Sequence, residues 1–333
     1  SLTVTYNLDT SLSSGMILHS IFEAGNTIAG TVFAMSPQYI TTQLPTEAGA
    51  YVISAGNTIF KCSLGQDGVL QQQNCSNANY PTESQNTISV AVNQAGTMAY
   101  VTDYRPTIDG GGVNKCTINS DRTFSACAPV GNGFTEPLAI TLNQAGTIAY
   151  VTNSPESSGG GISMCPIAGD GTFGTCVPTA IGGPTQPIFV AINSTGTLVY
   201  ITDETTNGLW SCIINGDGTF TGCKIIDGPN GFDGIRGLAV NNAESTVYIT
   251  DTGDHAWTCP IQGDGTIGTC AGNLSGILSN PTGITLNSTG SIAYIANFDS
   301  GSVSSCPLNS GNFTTCTTNF IAIRMTSITL LDN

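Results

Sequence analysis

Pro187–Asp203 reads PIFVAINSTGTLVYITD, and Asn207–Cys223 reads NGLWSCIINGDGTFTGC. Apolar residues alternate, or run for a few positions, between breaks rich in Asn and Gly, which is the periodicity of strands and not of helices. Asn193-Ser194-Thr195-Gly196 separates the first run from the second, and Asp217-Gly218 separates the third from the fourth. Asn, Asp and Gly tolerate the positive φ that tight turns require. Hairpin turns at both joints force antiparallel neighbours, so the unit is a four-stranded meander.

The same text recurs along the chain. PLAITLNQAGTIAYVTN (Pro137–Asn153) and GGISMCPIAGDGTFGTC (Gly160–Cys176) form the preceding copy, with strands expected at Leu138–Leu142, Ile148–Thr152, Ile162–Ile167 and Thr172–Val177. Further copies run over Asn86–Cys127, Ile235–Cys270 and Pro281–Cys316, and a weaker first copy spans Pro37–Cys75. A meander of about 50 residues repeated radially is a propeller blade, whereas a solenoid would need parallel coils. The expected fold is therefore an all-β propeller in one domain over residues 1–333, with repeats at 37–80, 81–131, 132–181, 182–229, 230–275 and 276–316. Residues 1–36 and 317–333 remain, and they carry strand-like text at Leu2–Tyr6, Met16–Phe22, Phe320–Met325 and Ser327–Leu331. Four such strands predict a seventh blade assembled from both termini; the alternative is six blades with added terminal strands.

All twelve cysteines fall within the repeats as Cys62/Cys75, Cys116/Cys127, Cys165/Cys176, Cys212/Cys223, Cys259/Cys270 and Cys306/Cys316. The midpoint of Cys165 and Cys176 lies between Asp170 and Gly171, so the two thiols face each other across the predicted outer hairpin. Facing residues of antiparallel strands stand roughly 4.5–5.5 Å apart at Cα, within disulfide range. A closed zinc site needs four ligands, and each blade offers two thiols. Six disulfides place the chain in an oxidising setting: extracellular, cell-surface or periplasmic.

Charge narrows the partners. Against 22 Asp and Glu stand only seven Lys and Arg, for a net charge of −15. Nucleic acid is excluded because phosphate binding needs a basic patch. No apolar run is long enough for a membrane span. The start at Ser1, without an apolar leader-like stretch, is what a processed exported chain looks like.

The strings AYVTD (Ala99–Asp103), AYVTN (Ala149–Asn153), VYITD (Val199–Asp203 and Val247–Asp251) and AYIAN (Ala293–Asn297) resemble the YVTN-type β-propeller repeat and are similar to the NHL repeat. The resemblance covers about residues 37–316. It implies a bacterial or archaeal secreted or surface propeller, and it brings no catalytic residue set. The paired cysteines depart from the usual repeat.

Asp103, Asp203 and Asp251 end the second strands of their copies, with Asn153 and Asn297 in the matching places. One reading makes them oxygen ligands for Ca²⁺ near the axis. The stronger reading is that each side chain caps its own turn, because the position is filled in five copies whatever loop follows. His255 lies near Asp251 and Asp254, beside Trp257, and reads as a packed or surface histidine more readily than as a general base. His19 has no acidic or nucleophilic neighbour. No G-x-S-x-G, H-E-x-x-H or phosphate loop is present. The loops after strands two and four, such as Tyr104–Gly112, Ser154–Gly160, Pro178–Pro187 and Lys224–Arg236, vary between copies and form the expected binding face. The chain is thus expected to be a non-enzymatic structural or interaction module, without a cofactor. Its partners would be protein, another copy of itself through terminal strand exchange, or glycan. The alternative is a lactonase-like hydrolase with a metal on the variable-loop face.

Overall fold

Both turns of the 187–223 copy form as read: the Gly196 and Gly218 amides donate to Asn193 O and Asn215 O, with both glycines at positive φ. The computed structural model describes residues 48–331, except 56, 66, 82–85, 105–110, 132, 155–159, 180–182, 227–230, 275 and 323. Within them the protein is all β. Pro187–Ile192, Leu198–Asp203, Gly208–Ile214 and Phe220–Ile226 pair in that order as one antiparallel blade. We number this blade 4. Blades 2, 3, 5 and 6 occupy residues 87–130, 137–178, 235–274 and 281–320 in the same way.

Blade 1 is built differently, and it decides the blade count for the six-blade alternative with an added terminal strand. Its second to fourth strands are Gly49–Ser54, Thr58–Leu64 and Leu70–Asn77, but its innermost strand is the tail, Met325–Leu331. The tail pairs antiparallel with Gly49–Ser54 from Gly49↔Leu331 to Ser54↔Met325. The tail therefore supplies a strand that the first copy needs, and the described residues close as six blades, not seven. Phe320 belongs to the outer strand Thr317–Phe320 of blade 6, so the strand expected at Phe320–Met325 does not form as one piece. Leu2–Tyr6, Met16–Phe22 and the start of the first copy at Pro37 lie outside the described residues.

The recurring Tyr-x-Thr turns out to join the blades. Tyr51, Tyr100, Tyr150, Tyr200, Tyr248 and Tyr294 are almost wholly buried. Each hydroxyl donates across the blade boundary to the outer-hairpin turn of the next blade, at Arg122 O, Gly171 O, Gly218 O, Gly265 O, Gly311 O and Gly68 O respectively, over 2.6–3.5 Å. Thr102, Thr152, Thr202 and Thr250 accept the amides of Ser89, Ala139, Phe189 and Gly237 in their own blades, where the inner strand slips register. The same hydroxyls donate to the next blade's inner strand at Leu138 O, Ile188 O, Arg236 O and Thr282 O. Blade 6 has Ala296 at this place, and Thr282 reaches Met325 O of the tail instead, at 2.9 Å.

The six disulfides form inside their own blades, with Cα–Cα distances of 4.0–4.2 Å and no free cysteine. The facing distance is shorter than the expected one. In blades 2 and 4 the second cysteine sits in a bulge whose preceding residue, Ala126 or Gly222, has positive φ. The outer strand of blade 3 departs from expectation: only Val177–Pro178 pairs as a strand, with an isolated bridge Ile167↔Phe173. The reason is Pro166, directly after Cys165. Its carbonyl accepts from Gly174 N, but it has no N–H to return, so the ladder breaks there. Pro260 and Pro307 occupy the same place in blades 5 and 6, where the outer strand is also short or split. Blades 1, 2 and 4 have Ser63, Thr117 and Ile213 there and keep outer strands of seven or eight residues.

Candidate functional site

The end of the ring at which second strands finish carries the variable loops. Parts of those loops lie outside the described residues, at 105–110, 155–159, 180–182 and 227–230. What is described is a cavity of about 260 Å³ around the axis, to which all six blades contribute. Ile88, Leu138, Ile188, Arg236, Thr282 and Thr326 come from the six inner strands, each one residue past the strand's first position. Tyr104, Ser154, Glu204 and Phe298 come from the residue after each second strand. Arg236 and Glu204 pair at 3.1 Å, and the Arg324 guanidinium lies 5.5 Å from the centre of the Phe298 ring. The mouth is therefore mixed: aliphatic and aromatic walls with one partly exposed ion pair.

The three acids singled out in the sequence are buried beside this mouth, on separate blades. Asp203 Oδ2 accepts Gln186 N at 2.7 Å, while Oδ1 accepts the Thr206 amide and hydroxyl at 2.8 Å each. Asp251 Oδ2 accepts Trp257 Nε1 at 2.7 Å and Asp233 N at 3.3 Å, and its Oδ1 accepts His255 N. Asn153 and Asn297 accept Thr135 N and Ser279 N in the same manner. Asp103 occupies the equivalent place in blade 2. This is the capping geometry: backbone amides of the incoming loop point at a side-chain oxygen fixed by the strand end. Among the described residues no group of three or more His, Cys, Asp and Glu is placed to hold a metal. The carboxylate oxygens of Asp203 and Asp251 are committed to N–H and O–H donors that a cation would have to displace.

His255 is not a lone surface histidine. Its Nδ1 lies 3.0 Å from Asp251 Oδ1, with the carboxylate fully buried and the imidazole 41% exposed. Its ring is tilted against Trp257 at 5.6 Å. An acid buried behind an exposed imidazole fixes the ring's orientation, which is one part of a general-base arrangement; the sequence showed the three residues but not that they touch.

No protein-family model matches the chain, and no curated protein sequence is similar to it. Solved structures share its fold. A chain of a nidogen–laminin complex superposes with a TM-score of 0.66 at 16% identity, covering 85% of this chain and 98% of that one. A putative 6-phosphogluconolactonase from Bacteroides fragilis gives 0.62 at 13% identity, over 89% and 100% of the two chains. The periplasmic gluconolactonase of Pseudomonas aeruginosa gives 0.62 at 11% identity, over 86% and 99%. The fold is that of a β-propeller.

Proposed function

We propose that this protein is an extracytoplasmic, disulfide-stapled propeller that acts as a non-enzymatic interaction module of the YVTN type, with its contact surface on the variable-loop face. The observation that carries this reading is the capping of Asp203 and Asp251 at their strand ends. Both carboxylates are already holding loops in place, and the Arg236–Glu204 ion pair at the mouth is closed on itself. Disulfides inside every blade support an oxidising compartment. No helix among the described residues is long and apolar enough to cross a membrane. The partner would be protein or glycan, and self-assembly would follow if one copy's tail entered another copy's first blade in place of its own.

The second reading is a lactonase-like hydrolase. It is favoured by the contact of Asp251 with His255 and by the gluconolactonases among proteins of this fold. Aldonolactone hydrolysis, measured with and without added Ca²⁺, Mn²⁺ and Zn²⁺, separates the two. The expected result is no turnover above buffer and less than one bound metal per chain by elemental analysis. Hydrolysis that disappears in His255→Ala, with melting unchanged, would establish the enzyme instead.

A further inference from the structure

A second opening lies at the opposite end of the axis, among the short turns between first and second strands. Two adjoining cavities, of about 340 and 360 Å³, share Val90, Ile140, Thr141 and Thr329 and reach the surface between Gln94, Gln144 and Asn242. Their size falls within the range of small-ligand sites. The inner of the two and the loop-face cavity have one lining residue in common, Phe189. At the same level of the other inner strands stand Ser89, Ala139, Gly237, Gly283 and Ser327. Phe189 is thus the one large side chain at a level otherwise filled by small residues, and it lines both the turn-face opening and the loop-face cavity.

The chemistry of the turn-face opening is specific. Among the described residues, no Asp, Glu, Lys, Arg or His lines either cavity. Ser89 and Ser327 are 5% and 4% exposed and line the inner cavity. Their hydroxyls, like those of Thr141 and Thr285, hydrogen-bond to no described residue, whereas the neighbouring Thr329 hydroxyl donates to Val90 O at 2.6 Å. Thr141 and Thr285 are partly buried, and hydroxyls on a cavity wall offer hydrogen bonds to whatever fills it, so an occupant rich in donors and acceptors is favoured over an apolar one. An anion would find no cationic group, and a divalent cation no carboxylate. A purely apolar occupant would leave the hydroxyls unbonded.

We infer that the axial opening on the turn face binds an uncharged, polyhydroxylated ligand, such as the terminal hexose of a neutral glycan, through Ser89, Thr141, Thr285 and Ser327, with Phe189 in its lining. Amide groups at the rim, Gln94, Gln144 and Asn242, extend the same neutral chemistry to the opening. This face carries the near-identical turns, so the inference is independent of any role for the variable loops.

The test titrates the full-length protein with the methyl glycosides of glucose, galactose and mannose, followed by saturation-transfer NMR and calorimetry. Glucuronate and a hexose phosphate serve as charged counterparts. At least one neutral glycoside is expected to bind in the millimolar range or tighter, with its charged counterparts at least about tenfold weaker. Thr141→Val and Thr285→Val keep side-chain shape and remove one hydroxyl each, and each is expected to weaken binding about three- to tenfold with melting unchanged. Should those variants melt early, Gln144→Ala at the exposed rim replaces them, with a smaller loss expected. No binding of any of the three glycosides at about 50 mM, a preference for the charged sugars, or affinity unaltered by the substitutions would each overturn the inference.

Discussion

The inner and outer hairpins of this propeller obey different rules. Each inner hairpin, strands one and two, is bonded to its neighbouring blade: six tyrosines and most of the matching threonines reach across the boundary. Each outer hairpin, strands three and four, is closed by its own disulfide and varies from blade to blade, continuous in blade 4 and broken by proline in blade 3. The difference follows from burial. Inner strands are flanked by two other blades and can share hydrogen bonds with them. Outer strands have one exposed edge, and a covalent link compensates for burial they cannot obtain. Cohesion of the ring is therefore an inner property, and resistance to local fraying an outer one.

The comparison breaks most visibly at the ring's seam. Deleting residues 325–331 removes the inner strand of blade 1 together with Met325 and Ile328, which pack in the core between blades 6 and 1. Loss of two buried side chains of this type costs about 4–10 kcal/mol, comparable to the whole stability of an ordinary domain. The expected outcome is loss of the cooperative melting transition, measured by circular dichroism. A truncated chain that melts within a few degrees of the full one would show that the tail is not what closes the ring.

An outer link comes next in size. Each bridge closes a short loop, and the loop-closure relation gives about 2–3 kcal/mol for it. Cys165/Cys176→Ala is expected to open its hairpin more than Cys212/Cys223→Ala does, because Pro166 has already removed a ladder hydrogen bond from blade 3. Hydrogen exchange should report the loosening in strands three and four of the altered blade and leave the inner strands protected. Equal loosening in the two blades, or spread into the inner strands, would remove the distinction drawn here.

The smallest effect expected is that of a single inner bond. Tyr150→Phe leaves the buried Gly218 carbonyl unpaired and should cost about 1–3 kcal/mol, at the lower end if water reaches the turn. The tyrosines also impose a pH limit. Burial, with the Asp217 charge second, pushes Tyr150 up to about 12, and burial, with Glu244 second, does the same for Tyr200. The unfolded chain ionises its tyrosines near 10 while the folded one keeps them protonated, so stability is full below about pH 10 and falls as pH rises toward 12. Melting temperature should drop steeply across that window, and less steeply in Tyr150→Phe. A profile identical in the two proteins would show that the shared hydrogen bond does not govern the alkaline limit.

Local rules carried the reading of Asn193–Gly196 and Asp217-Gly218, of the alternating strands between them and of every cysteine pair, because turn chemistry and strand period act over a few residues. Pro166, Pro260 and Pro307 are equally legible as ladder breaks, since a residue without an N–H cannot donate wherever it stands. Other features are invisible to spacing. That Tyr150 bonds Gly218 and that Phe189 lines both axial cavities depend on which blades become neighbours, and the contact of His255 with Asp251 depends on how one strand pairs with the next. The count of six blades depends on where Met325–Leu331 goes, and strand text at a terminus specifies a need for a partner without naming it. Sequence by itself determined the blade, its turns and its staples; the tertiary structure decided the seam, the bonds between blades and the cavities at the axis, because those are contacts between residues far apart in the chain whose energies exist only once the ring has closed.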